Sequence, residues 1–106
     1  MTQVVTNYLV TYDALQSLQF SNKLLAYVRE NGKVLAWMRP FEGAYLLKSY
    51  HDLSSIQQSF FAFFEGSITF FVQPVYPHQM HGSASPNVWE WINKNSVPEI
   101  LALQGN

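Results

Sequence analysis

An α+β sandwich, two helices against one face of a four-stranded antiparallel sheet, is the fold class this sequence predicts. Three observations predict it. Four short stretches are rich in β-branched and aromatic residues, two longer stretches carry apolar residues at helical spacing, and the two kinds follow one another as β-α-β-β-α-β. Further residues trail beyond that core.

The first strand is read at residues 6–12, where β-branched and aromatic side chains alternate (TNYLVTY). Asp13 then opens Asp-x-x-Gln16, a capping-box signature, ahead of a helix running to about residue 30. Leu18, Leu24, Leu25 and Val28 share one broad stripe of that helix, and Asn31-Gly32 supplies a left-handed stop. Residues 33–39 and 44–49 form a hairpin around the turn Pro40-Phe-Glu-Gly43. A second helix starts at Asp52 or Ser54 and ends at Phe64, with Ser55-x-x-Gln58 as a further capping box. Its inward stripe is Leu53, Ile56, Phe60 and Phe63. Glu65-Gly66 closes it, and residues 67–73 (SITFFVQ) make the fourth strand.

This order is the ferredoxin-like arrangement, with a core over about residues 6–75 and a C-terminal helical extension over 76–106. Within the extension, residues 74–82 form a loop with two prolines and two histidines. Ser85-Pro86 starts a short amphipathic helix to about Lys94. Residues 96–103 (SVPEILAL) are a last apolar piece that could dock on the protomer or on a partner.

A chain of 106 residues makes one domain. Apolar residues reach 48% and charged ones only 12%, about half the usual share, so an exposed apolar patch is expected, most simply a homo-oligomer interface. The net charge is −1 and the six Lys and Arg are scattered, which gives no basic footprint for nucleic acid. With no cysteine there is no disulfide, thiolate metal site or thiol nucleophile. No signal-peptide pattern and no apolar run of membrane-spanning length is present, so a cytoplasmic protein with no membrane partner is expected.

Several landmarks together resemble the SinR-like proteins, a branch of ferredoxin-like proteins related to the CRISPR-associated integration-scaffold subunit and to VapD-type toxins. They are YLVTYD at the first strand end, AWMRPFEGAYLLKSY, DLSSIQQSFFAFF, SITFFVQPV and HGSASPNVWEWINKN, spanning about residues 7–95. The resemblance implies a homodimer. It also implies a nucleic-acid-associated role in which an acidic residue at the first strand end, here Asp13, binds Mg²⁺ or Mn²⁺ at the dimer interface for metal-dependent nuclease activity. The chain departs from a nuclease pattern in having no second acidic residue near Asp13 in sequence and few basic residues.

Asp13 therefore carries two readings: a hard oxygen ligand and catalytic group paired with its symmetry mate, or the cap of the following helix. The competing functional class is a catalytically silent protein–protein interaction module. His78-x-x-His81 lacks the further ligands of a tetrahedral zinc site, and His51 reads as a helix-boundary residue. The phenylalanines at 60, 61, 63, 64, 70 and 71 could stack single-stranded bases, but without interleaved basic residues they read as core and interface. Phe61, Phe64 and Phe71 lie off the inward register and are the interface candidates. Arg39 beside its turn could contact phosphate, although a single arginine there is ordinarily solvated.

Overall fold

The computed structural model describes residues 4–103. Its elements are β1 (Thr6–Tyr12), α1 (Ser21–Glu30), β2 (Ala36–Met38), β3 (Ala44–Ser49), α2 (Leu53–Phe64), β4 (Phe70–Val75), α3 (Pro86–Asn93) and α4 (Val97–Leu103). The four strands form one antiparallel sheet in the order β2-β3-β1-β4, with Val10 opposite Tyr45 on one side and Val72 on the other.

Because strand side chains alternate, the sheet offers two faces, and both are covered. Tyr8 and Val10 of β1 and Tyr45 and Leu47 of β3 meet Leu24 and Val28 of α1 and Ile56, Phe60 and Phe64 of α2. On the opposite face, Ala36, Leu46 and Val75 meet Val88, Trp91 and Ile92 of α3 and Ile100 of α4. The extension therefore docks on its own sheet and makes a third layer. This explains why every residue of β3 is buried: AYLLKS is a central strand with helices on both sides.

Several boundaries differ from the sequence reading, each for a local reason. The first helix starts at Ser21 rather than after Asp13, because Asp13 Oδ1 accepts from the backbone N–H of Leu15 (3.0 Å) and Gln16 (3.1 Å) and holds a turn instead. Gln16 does not complete a capping box; its Oε1 accepts the Thr69 N–H at 3.0 Å, tying this turn to the approach to β4. Leu18, placed in the inward stripe by its spacing, is 62% exposed in the short 3₁₀ turn at Leu18–Phe20. Asn31 ends α1 in an extended conformation, not a left-handed one, and its Oδ1 accepts the Lys33 N–H.

The second helix is capped by Asp52, whose carboxylate accepts the Ser55 N–H at 2.9 Å, so the Ser55-x-x-Gln58 box is not formed. It closes with Glu65 in the left-handed region at φ 52°, a non-glycine residue where glycine is favoured. The fourth strand begins at Phe70 rather than residue 67, since Ser67 donates both its N–H and its hydroxyl to the Phe64 carbonyl in closing α2. It runs on through Pro74, which an edge strand tolerates. Residues 96–103 are helical behind a full capping box, with Ser96 N–H and hydroxyl donating to Glu99 Oε1 and the Glu99 N–H returning to Ser96 Oγ.

Candidate functional site: the open end of the sheet and the buried amine beneath the third layer

The C-terminal end of β1 and the starts of β3 and β4 lie at the same end of the sheet, where Tyr12 pairs with Phe70 and its N–H donates to the Gly43 carbonyl at 2.9 Å. Gly43 sits at φ +89° with Tyr12 O only 3.2 Å from where a Cβ would be, so this close crossing needs glycine. Asp13 follows immediately. It is exposed, its N–H donates to Thr69 O at 3.0 Å, and its Oδ1 is engaged by the turn it caps. Among the described residues there is no group of three or more His, Asp or Glu placed to hold a metal ion. One chain thus offers Mg²⁺ or Mn²⁺ a single, partly engaged carboxylate and does not build a cage for either ion.

Around Asp13 this end displays large apolar side chains. Leu15 is 81% exposed, Leu18 62%, Phe41 of the β2–β3 turn 59% and Phe71 of β4 69%. Of the three interface candidates, Phe61 and Phe71 are exposed, whereas Phe64 is not available: it is 2% exposed. Phe64 packs among Tyr12, Phe60, Phe63 and Phe70, because the last turn of α2 leans its ring back over the end of the sheet. The rings of Phe60, Phe63, Phe64 and Phe70 meet one another, Tyr12 and Tyr27 in tilted and edge-on contacts, so they belong to the core.

The histidines are not gathered with acids. His78 is exposed beside Gln79, and His81 borders a cavity on the second face of the sheet. His51 is an exposed residue just before α2, whose carbonyl accepts the buried Tyr8 hydroxyl at 2.7 Å. Arg39 lies over the Tyr45 ring, 5.2 Å from its centroid.

The most perturbed group is Lys48, a hairpin residue to which the sequence assigned no role of its own. Lys48, in the middle of the sheet, is fully buried. Its Nζ donates to Asn7 Oδ1 at 2.9 Å and to Asn95 Oδ1 at 2.8 Å, and sits 4.1 Å from the Trp91 ring centroid. Both asparagines also donate their amide N–H to one acceptor, the Ile92 carbonyl near the end of α3, each at 3.0 Å. The amine and the two amides thus bind the sheet to the C-terminal end of α3, where a cation is electrostatically favoured. Burial lowers the Lys48 pKa to about 8, and the Glu99 carboxylate acts weakly in the opposite sense. With every donor occupied and no opening to solvent, this lysine is a latch between layers rather than a nucleophile.

No family model, curated protein or solved structure matches this chain. Among the described residues no helix is long and apolar enough to cross a membrane.

Proposed function

We propose that this chain is a ferredoxin-like relative of the SinR-like proteins that self-associates into a homodimer and acts as an interaction module rather than a nuclease. The observation that carries this reading is the apolar end of the sheet. Leu15, Leu18, Phe41 and Phe71 present on the order of 500 Å² of apolar side chain there, from whole-residue areas of about 150–250 Å² scaled by their exposure. An apolar surface of that size lies toward the upper end of what single chains expose and is often functional, and it supplies over half of the roughly 800 Å² that each partner contributes to a standard interface. A second copy is the occupant this surface fits, since it is matched by an equally apolar surface on its twin.

The ferredoxin-like assignment is supported by connectivity. Strands β1 and β2, joined through α1, are separated by β3, a split β-α-β unit, and the order from the other edge is β4-β1-β3-β2. Over Ala36, Leu46 and Val75 the sheet face opposite α1 and α2 is covered by the protein's own α3 and α4, which speaks against base stacking there.

Sedimentation over rising concentration tests the reading: a dimer is expected, and Leu15→Ser with Phe71→Ser is expected to give monomers with unchanged helicity. A wild type that stays monomeric at high concentration would sink it.

A second reading draws on the position of Asp13 at that same end. A two-fold contact there brings two Asp13 carboxylates together and offers Mg²⁺ or Mn²⁺ the pair that one chain lacks. Asparagine caps a turn as well as aspartate does, so Asp13→Asn removes the charge while keeping the turn. Cleavage of RNA or DNA with Mn²⁺ that Asp13→Asn abolishes would select this reading; equal inertness of both proteins removes it.

A further inference from the structure

On the second face of the sheet the third layer leaves a gap. A cavity of about 290 Å³ lies between Leu9 and Leu46 of the central strands, Val88, Trp89 and Ile92 of α3, and Phe41 of the hairpin turn. Leu9 stands on a central strand yet is only half-buried, whereas Leu46 opposite it is 1% exposed. The open space over Leu9 has a sequence cause. Gly82, Ser83, Ala84 and Ser85 all line the cavity, and none of them carries a side chain large enough to fill it. The walls are mainly apolar, and the polar side chains that line the cavity are His81, Ser83, Ser85 and the indole of Trp89. Such a combination, an apolar floor with a few polar groups at one side, is what small-molecule sites share.

We propose that this cavity binds a compact aromatic small molecule of about two fused rings, its rings on Leu9, Leu46 and Val88 and a single hydrogen-bonding substituent toward His81. Size decides the class. A dry apolar cavity of about 150 Å³ accommodates one benzene ring, so the present volume suits a bicyclic aromatic. Charged or strongly polar ligands are disfavoured, because the floor has no partner for them. The site rests on the docking of α3 onto the sheet and shares only Phe41 with the proposed dimer surface, so it survives failure of the dimer reading.

The probe is 2-naphthol, titrated into ¹⁵N-labelled protein while amide shifts and the Trp89 indole N–H are followed. The titration is run on the wild type and on the Leu15→Ser/Phe71→Ser variant, so that a change of oligomeric state cannot be mistaken for binding. Saturable shifts confined to Leu9, Leu46, residues 80–85 and the first turns of α3 are expected. Ala84→Leu, at an exposed rim position, is expected to keep the fold and weaken binding by about tenfold, the equivalent of about 1.4 kcal/mol. Leu46→Phe is expected to block it from the floor, and His81→Ala to weaken it less. Shifts that grow without saturating, shifts centred elsewhere, or an Ala84→Leu protein that binds as the wild type does would overturn the proposal.

Discussion

The two faces of the sheet are built on different terms. The face under α1 and α2 is an apolar and aromatic core, where Phe60 packs edge-on to Tyr27 at 5.8 Å and Phe64 leans on Phe70 at 5.1 Å. Its polar atoms are led out to the margin, the Tyr8 hydroxyl to the His51 carbonyl and the Tyr27 hydroxyl to the Ser59 carbonyl. Under α3 and α4 a smaller apolar cluster shares its space with an ammonium group, two amides and a cavity. The first face gains stability from area and shape. The second gains a defined position for the extension from hydrogen bonds that fit one arrangement, since a buried cation tolerates no misplacement of its acceptors.

If that contrast is right, truncation on the first face has the largest effect. Phe60→Ala removes a ring from the centre of the core and is expected to cost about 3–5 kcal/mol, read from the urea midpoint. On the second face the outcome depends on which partner is removed. Asn95→Leu leaves a buried ammonium short of an acceptor and is expected to cost about 1–3 kcal/mol. Lys48→Met removes the buried charge but leaves the Asn7 and Asn95 amide oxygens without a donor, so relief of the charge offsets only part of the loss and a cost of about 1–2 kcal/mol is expected. A Lys48→Met protein destabilised as much as Phe60→Ala would mean that the amine matters to stability as much as the centre of the aromatic core, and the contrast between the faces would fail.

A pH series sharpens the same point. The unfolded chain holds the Lys48 proton up to the ordinary lysine range, while the folded chain releases it near pH 8. Between those values the unfolded state binds more protons, so stability rises as pH increases from about 8 toward 10, on the order of 1–2 kcal/mol. The rise is expected to vanish in Lys48→Met. Burial holds the Tyr8 and Tyr45 hydroxyls above their usual pKa of 10.0, so their opposing contribution starts only above that pH. The smallest effect lies outside both faces: Glu65→Gly relieves a left-handed backbone and is expected to add roughly 0.5–1 kcal/mol at every pH.

Much of the first face was legible in the sequence because its information is local. The β-branched alternation of residues 6–12 and the bounds of residues 44–49 coincide with β1 and β3, and the stripe Ile56-Phe60 points inward. The turn at Asp13 misled because an aspartate can cap a turn as readily as a helix, and the choice depended on Thr69, 53 residues beyond Gln16. The second face was illegible for the same kind of reason. Nothing near Lys48 marks it as buried; its acceptors lie 41 and 47 residues away, and lysine is otherwise a surface residue. The Ser96-x-x-Glu99 box was a readable signal for α4 that the apolar run after it obscured. At the candidate site, the place of Asp13 at a strand end was legible. Of its exposed apolar neighbours Phe71 was legible from its register, but Leu15, Leu18, Phe41 and the cavity were not, since they depend on how the turns at 13–17 and 40–43 and the loop at 80–85 are arranged in space.

The difference between the faces reduces to the state of one amine. Titration of the Lys48 side chain, followed by ¹³Cε and ¹⁵Nζ shifts with Lys48→Met as the assignment control, measures it directly. A midpoint near pH 8 is expected for an amine sealed between the sheet, Asn7, Asn95 and Trp91. A midpoint near 10.5, the value of a solvated lysine, would mean that the extension does not close over the sheet.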